Sequence, residues 1–167
     1  TAFTVAKAPT TLDLTSSGSP SSYGQNVTFT ATVATTAPGA SPVTGSVEFR
    51  DGAALLATVA LSGGVASYAT TALLHNTGSA HPITATFIES TNYFGSTDDA
   101  INHVVNKVTP TLSLVSNPNP SLFGQSVTMT GRLSGGLAPT GTVTFFDGIS
   151  LLGSNPVSGG AATRTTS

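Results

Sequence analysis

Three histidines and a few acids hold what reactive chemistry this chain has. His75 and His81 flank one loop, in the stretch LLHNTGSAH. Imidazoles at close spacing bind zinc when further ligands converge on them. No carboxylate lies near this pair in sequence, and both read as solvated loop histidines. His103 sits among valines on a strand-like segment, with no partner identifiable. Asp98-Asp99 is the one adjacent carboxylate pair, with Glu89 and Asn92 upstream. Oxygen-rich loops hold Ca2+ through about six to eight ligands. Glu89, Asp98 and Asp99 are thus the candidate metal residues, and Ca2+ is the ion they would suit. Their spacing follows no dedicated calcium loop, and capping a turn and keeping the domain soluble explain them without a metal. No other cofactor is expected.

Nucleophilic and phosphate chemistry leave no trace. G-x-S-x-G, H-E-x-x-H, a P-loop and G-x-G-x-x-G are all missing. Paired acid–base catalysis needs two positioned acids in a pocket, and the seven acids here are scattered. The chain is not expected to be an enzyme. Sugar-binding sites on sheets present exposed aromatics; without Trp, the candidates are Tyr23, Tyr68, Tyr93 and Phe94. Tyr93-Phe94, near a domain end, are the candidate interaction residues.

The scaffold that must carry these residues is repeated. TLDLTSSGSPSSYGQNVTFTATV from Thr11 returns 100 positions later as TLSLVSNPNPSLFGQSVTMTGRL, with 11 of 23 residues identical. After a four-residue deletion, GSVEFRDGAALL from Gly45 matches GTVTFFDGISLL from Gly141. Asp51 and Asp147 recur, as do Gly24 and Gly124, so turn formation explains them. The repeat defines a domain of about one hundred residues. Residues 1–7 align with 101–107 and read as the last strand of a preceding repeat. Residues 8–107 form a complete repeat, and 108–167 a second one lacking its last strands. The chain therefore reads as a slice of a longer tandem array.

Composition narrows the class further. Charged residues make up 7% of the chain, against roughly a quarter in an average soluble protein. Thr (29) and Ser (21) supply the polar surface instead. β-Branched Thr suits a pleated, half-buried face, and good helix formers such as Lys and Glu are scarce. A net charge of −2 offers no basic field to nucleic acid or anionic lipid. No apolar run is long enough to span a membrane as a helix. Absent cysteine excludes disulfide staples and thiolate metal sites.

Period-2 alternation predicts strands over 11–16, 26–33, 45–50, 54–61, 64–71, 81–88 and 101–107. Val27, Phe29, Ala31 and Val33 form an inward row opposed by Thr28, Thr30 and Thr32. Asp51-Gly52 and Gly63-Gly64 read as tight turns between strands. About seven short strands per complete repeat predict an all-β chain: tandem immunoglobulin-like antiparallel β-sandwiches. Residues 108–167, without the last two strands, are not expected to hold that fold alone.

The run P-S-x-[YF]-G-Q-x-V-T-[FM]-T at Pro20–Thr30 and Pro120–Thr130 resembles bacterial Ig-like repeat domains. So does G-[ST]-V-x-F-x-D-G-x-x-L-L at Gly45–Leu56 and Gly141–Leu152. His81–Thr97 is similar to their H-x-I-T-A-x-Y-x-G-D-x-N-[FY] stretch. There Phe87 stands for the usual Tyr, and Ile88-Glu89-Ser90-Thr91 replaces the glycine–aspartate part. The resemblance implies tandem modules of large secreted or surface-anchored bacterial proteins, where they serve as stalks, spacers and adhesive segments.

The expected function is accordingly a structural, spacer or adhesive module of an extracellular or cell-surface array. Short proline-containing joints, Val5–Thr10 and Val105–Thr111, predict a stiff rod. Neighbouring repeats are the expected partners. One alternative is a filament subunit, in which residues 1–7 complete the open repeat of an identical chain. Another is a module that binds a surface glycan or protein.

Overall fold

The computed structural model describes residues 3–36, 42–75, 80–137 and 139–167. Tertiary packing divides the chain into two units, Thr1–Asn106 and Lys107–Ser167. All regular structure among the described residues is β.

Alternating burial builds the first unit. Strands β1 (Thr10–Ser16), β3 (Val27–Thr35) and β6 (Val65–Thr70) form one antiparallel sheet in the order β1-β3-β6. The short β2 (Ser21–Ser22) lies between the first two in sequence. The second sheet joins β4 (Ser46–Asp51), β5 (Ala54–Ala60) and β7 (His81–Phe87) in the order β5-β4-β7. The short strands β8 (Ser96–Thr97) and β9 (Ile101–His103) both pair with β7. Strand β10 (Val105–Asn106) then pairs with β2, in parallel.

Apolar side chains from both sheets meet between them. Leu12, Leu14, Val27, Phe29, Ala31 and Val33 come from the first sheet; Val47, Phe49, Ile83, Ala85 and Phe87 come from the second. Each fully buried side chain of this size contributes about 1.5–3 kcal/mol. The Thr residues between them on β3 are half-buried or exposed. Gly52, Gly63 and Gly64 turn the chain at positive φ (54°, 62° and 82°), which a side chain would resist.

All seven expected strands are present, with one change. The predicted strand 101–107 is split into β9 and β10, which pair with different elements. Strands β2 and β8 were not foreseen, because two residues display no alternation. Residues 3–7 form no strand. Lys7 Nζ lies 2.5 Å from Glu89, and Ala8 exchanges backbone bonds with the loop at Asn92 and Phe94.

The second unit repeats the front half of this plan. Strands β11 (Thr111–Asn117), β12 (Val127–Ser134) and β15 (Ala161–Thr166) form one sheet. Strands β13 (Thr142–Asp147) and β14 (Ser150–Pro156) form the other. The same bulge follows Phe49 in β4 and Phe145 in β13. Its core is small: Val143, Phe145 and Ala162, backed by Met129, Leu133, Leu152 and Val157.

Candidate functional site

A cluster of polar contacts lies in the first unit where β7 begins. Strand pairing sets Asp51, the last residue of β4, opposite Ile83 of β7. This brings the Asp51 carboxylate 2.5 Å from Nδ1 of His81. On the other side of the ring, Nε2 lies 2.8 Å from the carbonyl oxygen of Leu74. A cavity of about 200 Å³ opens beside the pair, lined by Asp51, Leu56, Tyr68, Thr70, Leu73 and His81 among others.

Both neighbours of His81 are acceptors, so the ring satisfies both only as a doubly protonated imidazolium. Burial opposes that charge, but the Leu74 carbonyl and the Asp51 carboxylate outweigh it and hold the pKa above the ordinary value. A general base needs a free lone pair within reach of a proton. His81 has neither ring nitrogen to spare. The Thr70 hydroxyl, for its part, accepts the Ala72 N–H at 3.0 Å. The arrangement is a clamp on the Leu73–Leu74 segment and the β4 turn.

The other two histidines clasp the same end. His75 Nδ1 lies 2.8 Å from the Val105 carbonyl oxygen, which makes it the donor. His103 is fully buried, 2.8 Å from the Ser21 hydroxyl and edge-on to Phe29 at 5.6 Å. Burial first, and the charge of His81 second, push the His103 pKa down. The reading of His75 and His81 as solvated loop histidines is corrected here. So is Asp51 as a turn former alone. Residues 76–79 lie outside the described residues.

The candidate calcium residues are not brought together. Asp98 Oδ2 accepts the Leu14 N–H at 2.8 Å and Oδ1 the Asp99 N–H at 2.9 Å. Those two donors lower its pKa. Glu89 is paired with Lys7 instead. No group of three or more His, Asp or Glu near enough to hold a metal occurs among the described residues. The aromatic pair is also separated. Tyr93 is buried in the core, packed where the loop meets Ala8, whereas Phe94 is exposed. Tyr93 is therefore corrected from a presented ring to a core residue. The bridge from Tyr93 to Ala8 turns the Tyr93 ring into the core and leaves Phe94 outside it.

Residues 14–106, more than half of the chain, match the bacterial Ig-like domain (group 3) family. The chain belongs to that family. The matched span runs from the middle of β1 to the end of β10, so the bacterial Ig-like domain coincides with the sandwich of the first unit. Domains of this family are generally non-catalytic and often surface-associated. The comparison with curated proteins found no match. Among solved structures this Ig-like chain is similar to the human OSCAR ligand-binding domain, with TM-score 0.41 and 16% identity over 96% of this chain and 83% of that one. So distant a likeness says nothing of ligands here. No helix of the described residues is long and apolar enough to cross a membrane.

Proposed function

We propose that this chain is a non-catalytic spacer segment of an extracellular bacterial tandem array. Residues 8–107 are one complete module, residues 108–167 a second without its last strands, and residues 1–7 the close of a preceding one. Neighbouring repeats are its partners.

One observation carries the reading: the chain joins and leaves the first sandwich at opposite ends. Ala8 bonds Asn92 and Phe94, next to the finish of β7 at Phe87, where Ser96 also pairs. His103 pairs with His81, at the start of β7, and β10 follows directly. A module with termini at opposite ends adds its length to an array; one with adjacent termini would fold the array back. Pro9 and Pro110 in the joints restrict those connections to extended conformations.

Small-angle scattering on polypeptides with one, two and three complete repeats tests it. The maximum dimension is expected to grow in equal steps. Growth only as the cube root of mass, the mark of compaction, would refute a spacer.

A further inference from the structure

A fully buried histidine holds the last strands of the first unit. His103, the final residue of β9, is 0% exposed. Its Nε2 lies 2.8 Å from the Ser21 hydroxyl, and its ring meets Phe29 edge-on. Its Nδ1 is buried too and has no hydrogen-bond partner among the described residues. One ring nitrogen is thus unsatisfied even in the neutral form. Strand pairing sets His81 of β7 directly opposite, and side chains opposite each other on paired strands share a face. The two acceptors beside His81 keep that ring charged in acid. A charged and a neutral imidazole therefore stand side by side on β7 and β9.

Beside His103, the Ser21 N–H donates to the Val104 carbonyl, the Tyr23 N–H to that of Asn106, and the Val104 N–H to the Ser19 hydroxyl. These bonds, with His75 on the Val105 carbonyl, fix β10 against β2. Few charges face the buried ring. From β7 comes His81, with Asp51 of β4 on the far side of it. Ahead of β9, Asp98 is taken up by the Leu14 and Asp99 N–H groups, and Asp99 itself is exposed. On β1, Asp13 is exposed between buried Leu12 and Leu14, so it points to the outer face. Strands β2 and β3 contain no titratable side chain. Tyr23 beyond β2 stays neutral in acid, and Lys107 after β10 is exposed. None of these carboxylates is paired with His103, whose one polar partner is Ser21.

We infer that protonation of His103 is an acid-triggered release, which frees β9 from β7 and β10 from β2 while the remaining strands of the first unit stay paired. A protonated ring needs an acceptor at each nitrogen, and Nδ1 has none. Protonation also sets two positive rings opposite each other on paired strands, one of them buried. Opening relieves both, because water then solvates His103. Burial and the charge of His81 hold the folded pKa below the ordinary value, so the closed form prevails at neutral pH and loses ground in acid. The opening is local. Strands β9 and β10 are three and two residues long, whereas β3, β4 and β7 keep their partners β1, β6 and β5 and one another. The chain runs directly from β10 through 107–110 into β11. Once freed, residues 101–106 join that connection and add at most about 20 Å of reach. In an array, the joint would slacken in acid. That consequence rests on the spacer reading; the release itself does not.

Hydrogen exchange on the full chain, followed by NMR as a protection factor for each amide, tests the release. The Ser21 and Tyr23 amides are expected to be less protected than those of β3 and β4. Below the ordinary histidine value of about 6.5, their protection should fall by up to about tenfold per pH unit. The β3 and β4 amides should remain protected when those two no longer are. His103→Gln keeps a polar partner for Ser21 but takes up no proton, so the same amides should hold steady over that range. The natural chain supplies a second check through the ring-proton shifts of His103: the fall in protection should level off at the pH where His103 titrates. Ser21 and Tyr23 as protected as β3, protection indifferent to pH, or a fall that continues past the His103 titration would each overturn the release. So would a folded His103→Gln chain that opens in acid like the natural one. Failure of the spacer reading would show separately, in the scattering dimensions.

Discussion

His81 shows what a single side chain contributes when its job is structural. Its ring spans the Asp51 carboxylate and the Leu74 carbonyl, and only the charged form serves both. Hydrogen bonds to charged groups are worth about 1.5–3 kcal/mol. His81→Ala is therefore expected to destabilise the first unit by about that amount. The sign with pH follows from the raised pKa. Such a group stabilises fully below its unfolded value and loses the contribution as pH rises through the folded one. The gap between the natural chain and the variant should shrink on the alkaline side. His103 acts oppositely: its lowered pKa means that stability is lost as pH falls through the folded value. Thermal unfolding followed by tyrosine fluorescence checks this, because all three tyrosines lie in the first unit. A gap independent of pH would count against the clamp.

At the scale of elements, strand placement depends on a few tight approaches. Gly45, just before β4, has φ of +142°, and a Cβ there would lie 2.7 Å from Cε2 of Phe87. Phe87 is fully buried, so its ring has no open space to retreat into. Overpacking costs about 1–3 kcal/mol, and the backbone conformation adds strain for any residue with a Cβ. Gly45→Ala is expected to lower the melting temperature of the first unit by several degrees, read on the same fluorescence. An unchanged midpoint would mean that the β4–β7 packing is looser than described. The strands themselves were legible beforehand. The Val27–Val33 row, the Asp51-Gly52 and Gly63-Gly64 turns and all seven strands follow from alternation and turn chemistry. The split of 101–107 into β9 and β10 was not legible. Each half pairs with a strand far away in sequence, and local pattern carries no record of that choice.

Across the whole molecule, the two units differ in how well each is closed. The first has two sheets facing each other over a large apolar core. The second has a core of three buried residues and leaves Leu112, Leu114 and Phe146 exposed. Local opening is governed by such differences in buried contact. Native-state hydrogen exchange on the full chain should find β11–β15 exchanging much faster than β3, β4 and β7. Equal protection in both units would show that the front half of the sandwich is self-sufficient.

The repeat, the all-β class and the inward rows are properties of the sequence itself, because periodicity and identity at a fixed offset need no partner to be seen. Which polar groups meet is different in kind. Asp51 with His81, Ser21 with His103 and Glu89 with Lys7 are pairs joined across 30, 82 and 82 residues. Only the pairing and packing of segments distant in sequence brings them within reach. The same tertiary packing buries Tyr93 and leaves Phe94 in solvent, a distinction invisible in two adjacent aromatic letters.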